Sequence, residues 1–317
     1  GLPGKSFIPL LLGFGCSVPA IMGARTLENP RDRLVTILVT PLMSCSARLP
    51  VYTVLIAAFF GEQRAGNVLF SIYLIGIILA IIMARVFRSV LFTGSTEPFV
   101  MELPPYRIPT LKSILFHMWE RSILYLQKAG TIILAVSIII WFLTNYPTEV
   151  QYSKDYAALI AQAETLPQDE VKEKLVREQA GEKLGQSYAG QVGRFIEPAI
   201  APLGFDWKMG VGLFAAFTAK EVLVSTLGTI YSVGAGEEDA ASLKDALAAD
   251  PAYNPLVAYA LMIFVLIYSP CLATIATIKR ETNSWKWALF SSGYSTVLAW
   301  IIAFIVYQGG KLGGLGG

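Results

Sequence analysis

The sequence predicts an all-α, polytopic membrane protein of about seven membrane segments, with broken helices arranged as two gate-like repeats. Three observations predict it. The 317 residues are 54% hydrophobic and only 15% charged, whereas a soluble domain carries about 25% charged residues, and the mean hydropathy is +0.55. The apolar residues gather in runs near the ~20 residues that take a helix across hydrocarbon. Several runs are interrupted by proline, glycine or charge, in two groups that are each followed by an uninterrupted run.

The elements follow in order. The first segment, Phe7 to Ala24, is broken by Gly13, Gly15 and Pro19, and the second, Leu34 to Phe60, holds Pro41, Arg48 and Pro50. The third, Val68 to Ala84, and the fourth, Ala129 to Tyr146, are uncharged and read as ordinary spans. The fifth, Met209 to Val233, carries Lys220 and Glu221; the sixth, Leu256 to Ile278, is broken at Ser269 and Pro270; the seventh runs from Trp287 to Tyr307. Trp141, Tyr146, Trp285, Trp287 and Tyr307 lie near span ends, as interfacial aromatics do. Leu111, Leu115, Met118, Tyr125 and Leu126 recur at helical spacing and predict an interfacial helix leading into the fourth span. His117, the sole histidine, falls there and reads as a headgroup-level residue rather than a ligand.

Residues 147–208 form the sizeable polar stretch, with Glu170–Lys174, Glu173–Arg177 and Lys174–Glu178 at i,i+4 spacing that supports a solvated helix. The chain divides into a first gate region (1–92), an interfacial helix plus one span (93–146), a polar helical lobe (147–208) and a second gate region (209–317). Arg25, Arg31 and Arg33 follow the first segment, and Arg85, Arg88, Arg107 and Lys112 follow the third. Both connections are therefore expected on the cytoplasmic side, with the lobe outside. Simple alternation then places Glu237, Glu238 and Asp239 inside and Lys279 and Arg280 outside, against the rule; a re-entrant fifth segment reverses this.

Gly4-Lys5-Ser6 mimics the end of a phosphate-binding loop, but the motif needs a glycine five positions earlier, after a strand, and only three residues precede Gly4. Net charge is +2 without basic tracts, which argues against nucleic acid as a partner. Three scattered cysteines argue against a disulfide framework.

The interruptions are where chemistry is expected. They are Gly13-Phe14-Gly15-Cys16-Ser17-Val18-Pro19, Ser44-Cys45-Ser46-Ala47-Arg48-Leu49-Pro50, Phe217-Thr218-Ala219-Lys220-Glu221-Val222 and Ser269-Pro270-Cys271-Leu272-Ala273-Thr274. In lipid, carbonyls freed by a break need a partner, so broken helices survive only inside protein or around a wet cavity. Paired breaks in two halves point to a midplane site. Arg48, Lys220 and Glu221 each cost about 3 kcal/mol within an apolar span, so they face the interior and pair. Glu221 with Arg48, or Lys220 with a helix C-terminus at a break, are the pairings to expect; a lock between broken helices is as reasonable a role as contact with substrate. Cys16, Cys45 and Cys271, beside Ser17, Ser46 and Ser269, together with the Glu221 carboxylate, suit a borderline divalent transition metal better than Mg²⁺ or Ca²⁺. A buried cysteine is often only a small hydrophobe, and a polar organic substrate stays open at this point.

At these residues the chain resembles a known family. Gly13–Ile21, Arg25–Arg33 and Ser44–Tyr52 are similar to the first gate region of ferrous iron transport protein B (FeoB). Ala219–Val222, Leu227–Tyr231, Tyr268–Ile275 and Ile278–Thr282 are similar to the second. The likeness runs through about Tyr307; the family often has Asn where Ser17 stands and Gly where Ser46 stands. The resemblance implies a multi-pass protein of the bacterial cytoplasmic (inner) membrane that moves Fe²⁺ inward, with Cys16 and Cys271 as candidate iron contacts. It also implies an N-terminal GTPase domain, small accessory proteins and a homo-oligomer as partners beside the lipid bilayer. No P-loop or Asn-Lys-x-Asp motif is present here, so this chain is expected to bind no nucleotide and to be no enzyme, and to be part of a longer protein. The alternative is a related gate-domain transporter of nucleosides. Asn, Gln, Glu and aromatic groups should then converge on the breaks, which are poor in Asn and Gln.

Overall fold

The computed structural model describes residues 2–91, 152–163, 169–231, 243–248, 250 and 252–314, with scattered positions between 110 and 147. His117, the residues 237–239 and most of the interfacial helix and of the fourth span lie outside the described residues. The described residues are helical without strands.

Each half begins with a pair of short helices. In the first, α1 (Phe7–Gly13) and α2 (Ser17–Gly23) pack side by side. A salt bridge of 2.9 Å joins Lys5, before α1, to Glu28, after α2. The chain thus returns to the end of the bundle where it started, so the first segment is a re-entrant hairpin and not the span its apolar length predicts. Asn29 then caps α3 (Pro30–Val39) by accepting from the Arg31 amide at 2.9 Å, with Pro30 at the first position. After 3-10 turns at Thr40–Leu42 and Ser46–Arg48 the helix resumes as α4 (Leu49–Phe59). Gly61, at φ +65°, makes the turn into the 30-residue α5 (Gly61–Val90). An Arg88–Asp32 contact of 3.5 Å closes the circuit at the starting end.

Pro19 and Pro50 do not break helices here. They occupy the first turns of α2 and α4, where the missing N–H costs no intrahelical bond. The breaks themselves fall at 14–16 and 43–45.

The polar lobe is formed by α6 (Tyr156–Ala163), α7 (Asp169–Gln186) and α8 (Tyr188–Ile200). The second half then repeats the plan: a hairpin, α9 (Trp207–Ala215) with α10 (Val222–Ile230), a broken helix, α11 (Pro255–Ile267) with α12 (Leu272–Thr282), and a long helix, α13 (Trp285–Leu312). Lys208, at the start of α9, donates to the Tyr231 hydroxyl just past α10 at 3.2 Å. The fifth segment is therefore re-entrant as well. Arg25 meets Glu281 at the end of α12, so Lys279 and Arg280 lie at the same end of the bundle as Arg25 and Arg88, and the charge conflict read from the sequence disappears.

Among the described residues four stretches are long and apolar enough to cross a membrane: Pro30–Phe59, Gly61–Val90, Pro255–Thr282 and Trp285–Leu312. Their surroundings differ. In the most apolar stretch of Pro255–Thr282, 83% of the residues are buried, against 22% in those of α5 and α13, which turn Phe70, Ile81, Leu289 and Val297 outward. In lipid such exposed apolar faces are expected on the rim. The halves also interlock, for α2 packs on α12 and α4 packs on α10 and α11. Ile21, Ile275 and Ile278 share one buried cluster across that seam.

Candidate functional site: a cavity at four helix breaks

The four interruptions meet at one cavity of about 350 Å³. The tip of the first hairpin contributes Gly15, Cys16 and Ser17, and the first broken helix contributes Cys45, Ser46 and Arg48. Thr218, Lys220 and Glu221 come from the second hairpin, and Pro270, Cys271 and Thr274 from the second broken helix.

Local geometry explains the convergence. Each hairpin tip is stitched to the break of the same half. The Ser46 amide donates to the Gly15 carbonyl at 3.2 Å, with the Ser46 hydroxyl on the same oxygen at 2.9 Å. In the other half the Leu272 amide donates to the Phe217 carbonyl at 3.1 Å. Ser46 follows Cys45 as Leu272 follows Cys271, so the two stitches correspond. Each cysteine stands immediately ahead of a helical segment: Cys16 before α2, Cys45 before the 3-10 turn Ser46–Arg48, Cys271 before α12. That position has extended backbone, which turns the side chain off the helix axis. The Cys271 sulfur lies 3.1 Å from the Thr274 hydroxyl.

The buried charges pair with backbone carbonyls. Arg48, 2% exposed, forks onto the carbonyls of Met43 at 2.7 Å and Pro41 at 3.0 Å. It thereby satisfies oxygens that the break after α3 leaves without intrahelical partners. Lys220, 3% exposed, donates to the Ser269 carbonyl at 2.7 Å, and its ammonium stands 3.0 Å from the centroid of the Tyr268 ring. Of the two pairings expected from sequence, the structure has lysine on a helix C-terminus. Arg48 turns to carbonyls instead of Glu221 because its planar fork spans two neighbouring oxygens. Glu221 is exposed to the cavity.

Most sequence-predicted residues are thus brought together: Cys16, Cys45, Cys271, Glu221 and Ser17 share the lining with Arg48 and Lys220. Ser269 stands behind the wall, its hydroxyl 2.5 Å from that of Ser292. Gly13 ends α1 against Met43, where a Cβ would come to 3.1 Å of the Met43 Cβ. Thr218, Thr274 and Tyr268 escaped the sequence reading. Tyr268 precedes a Ser-Pro-Cys break, but an aromatic at the end of an apolar run signals packing before it signals a cation partner. Among the described residues no three His, Cys, Asp or Glu side chains gather into a group that could hold a metal ion. The lining is sparse, which suits an ion that must bind weakly enough to leave.

A second, more open cavity of about 440 Å³ lies between the lobe and the start of α9. Its charges have partners: Lys154 pairs with Glu178 at 3.3 Å, and Arg194 lies over the Trp207 ring at 5.4 Å.

Two re-entrant hairpins and two broken helices around one cavity define a multi-pass helical membrane protein. The chain belongs to the Gate family. The Gate model, described as nucleoside recognition, matches residues 1–59 and 126–285, and the model of the ferrous iron transport protein B C terminus matches residues 69–121. Among its relatives, a Fe(2+) transport protein A/Fe(2+) transporter FeoB fusion protein of Porphyromonas gingivalis is 51% identical over 98% of this chain and 38% of its own length. The Fe(2+) transporter FeoB of Campylobacter jejuni is 44% identical over 96% of this chain and 46% of its own. That of Helicobacter pylori is 40% identical over 97% and 48%. The chain spans less than half the length of these curated relatives. No solved structure matches it significantly.

Proposed function

We propose that this chain forms the ion path of a ferrous iron transporter of the bacterial inner membrane, admitting Fe²⁺ toward the cytoplasm. One observation carries the reading: all three cysteines, from three separate helix breaks, line one cavity together with a carboxylate. Thiol, hydroxyl and carboxylate donors suit a borderline divalent metal and fit Mg²⁺ or Ca²⁺ poorly. The names of the relatives supply the metal. In this reading Cys16, Cys45, Cys271 and Glu221 contact the ion in turn, while Ser17 adds a hydroxyl. GTP binding and hydrolysis belong to another part of the protein, and an accessory protein of the kind fused to the P. gingivalis relative is its partner.

Nucleoside transport is the second reading, since the Gate family's description favours it. Glu221 is a group such a site would use, but among the described residues no Asn, Gln or aromatic side chain lines the cavity to hydrogen-bond and stack a base.

The test is anaerobic Fe²⁺ influx into proteoliposomes holding the intact protein, beside Cys16→Ser and Cys271→Ser and a labelled-uridine control. Each substitution should cut the initial rate roughly ten- to hundredfold, the scale on which metal sites suffer when a supporting group is lost. Uridine entry without iron entry overturns the function. Iron entry indifferent to both substitutions removes the thiols from the path.

A further inference from the structure

A cavity that should pass a cation is walled by two buried cations, and only one of them is placed to leave. Arg48 is held by two carbonyls close to it in sequence. Lys220 reaches from the tip of the α9–α10 hairpin to a carbonyl 49 residues away, through a single hydrogen bond on a flexible stem.

The place it occupies is itself a cation niche. The Ser269 carbonyl lies just past the last turn of α11, where the negative end of the helix adds to its own dipole. The Tyr268 ring supplies a π-face, the other common partner of an ammonium. Both groups are fixed: the Tyr268 hydroxyl donates to the Leu213 carbonyl at 3.1 Å, its ring stacks on Phe264 at 5.4 Å, and the Ser269 hydroxyl is tied to Ser292. Tyr268 and Ser269 lie behind the lining to which Lys220 and Cys271 belong, so a cation in the cavity would meet the niche at the place the ammonium fills.

We propose that Lys220 is a tethered plug: its ammonium fills the cation niche at the α11 break, and ions pass only when it withdraws from Ser269 and Tyr268. This rests on the reading of the cavity as an ion path. While the ammonium stays, it occupies the approach to the carbonyl and to the ring face together. An ammonium at this point also repels an approaching dication twice as strongly as a monovalent ion at the same distance.

The intact protein, reconstituted without nucleotide, tests this through passive leak of Rb⁺ and of Fe²⁺. Lys220→Met keeps the stem and removes the charge, and it should raise both leaks roughly tenfold, equivalent to about 1.4 kcal/mol of lost closure. Lys220→Arg should stay tight, and Tyr268→Leu should leak to a lesser degree with the lysine in place. A side chain needed only for packing would lower yield or flux and would not open a leak. Lys220→Met that assembles normally yet leaks no more than wild type overturns the plug, as does an equal leak through Lys220→Arg. Should Lys220→Met fail to assemble, Tyr268→Leu decides by the same criterion. If the wild type carries no Fe²⁺ in the uptake assay, the functional reading fails, while the Rb⁺ comparison still reads the plug.

Discussion

The carbonyl oxygens of Met43 and Ser269 stand at matching points of the two halves, each two residues ahead of a cavity cysteine, and each receives a buried cation at 2.7 Å. A helix that stops inside the membrane leaves carbonyls that water cannot reach. The molecule meets that demand twice, with different means. Arg48 serves its own half from a turn just downstream, and Lys220 serves the second broken helix from the neighbouring hairpin. One arrangement braces the break from within its own segment; the other ties the break to the tip of a neighbouring hairpin.

Removing the brace should be costly. Arg48→Met strands the carbonyls of Met43 and Pro41, and two charge-assisted hydrogen bonds make the expected loss about 3 kcal/mol or more. Arg48→Lys should recover less than half of it, because an ammonium cannot fork across both oxygens. Thermal unfolding in detergent reads both, and an unchanged melting temperature for Arg48→Met would falsify the assignment.

At the basic end of the bundle, Arg25 grips Glu281 with two nitrogens, at 2.5 and 2.7 Å. Glu281 is almost covered while Arg25 is half exposed, so screening limits the pair. A double-mutant cycle of Arg25→Gln and Glu281→Gln should show coupling of roughly 0.5–1 kcal/mol, shrinking in high salt. Zero coupling at low salt would mean that the seam between α2 and α12 is held by its apolar cluster alone.

Acid should loosen the opposite end. Burial pushes the Asp250 carboxyl up, but hydrogen bonds from Lys208 at 2.7 Å and from the Tyr231 hydroxyl at 2.7 Å outweigh it and hold the carboxyl below its ordinary range. A carboxyl that titrates lower when folded contributes stability that is whole above the ordinary carboxylate range and is lost as pH falls through the folded value. Neighbouring Asp206 is raised by burial and has the opposite sign, in wild type and variant alike. Unfolding measured from about pH 6 to about pH 3 should therefore fall less steeply in Asp250→Asn than in wild type. Parallel curves would remove Asp250 from the account.

Two glycines should respond in opposite directions to alanine. A Cβ on Gly193 would lie 2.4 Å from the Val211 Cγ2 and 2.8 Å from the Trp207 carbonyl oxygen, so α8 and α9 must part. Gly193→Ala should cost about 1–3 kcal/mol. Gly66 in α5 has open space around its Cα, and Gly66→Ala should stabilise by roughly 0.5–1 kcal/mol through helix propensity. Melting temperatures that move together would show that the close approach of α8 and α9 yields at little expense.

Much of the site was legible in the sequence because chemistry stood out against an apolar background. Cys16, Cys45, Cys271, Arg48, Lys220 and Glu221 were singled out as interruptions, and all six line the cavity. Direction of travel was legible only in part: the charges around the last segments pointed to a re-entrant fifth segment, and nothing marked the first. An apolar run with a break in the middle can cross the membrane or turn back, and hydropathy is the same for both. Contacts between distant residues decide it, Lys5 with Glu28 and Lys208 with Tyr231. Prolines misled for a related reason: Pro19 and Pro50 belong to helix starts, and sequence does not show which side of a proline is helical until the cap is known. Tyr268 stayed hidden because its value lies in what its ring faces.

The seam between the halves has a consequence for how the protein is made. Arg25 leaves the ribosome 256 residues before its partner Glu281, which at ordinary translation speeds is a delay of roughly 10–50 s. Through that interval α2 has its future neighbour missing, with the apolar side of Ile21 uncovered and Cys16 in front of a cavity whose far wall is not yet synthesised. The first half thus carries uncovered apolar surface through that interval, and this surface is covered only once α12 packs against α2.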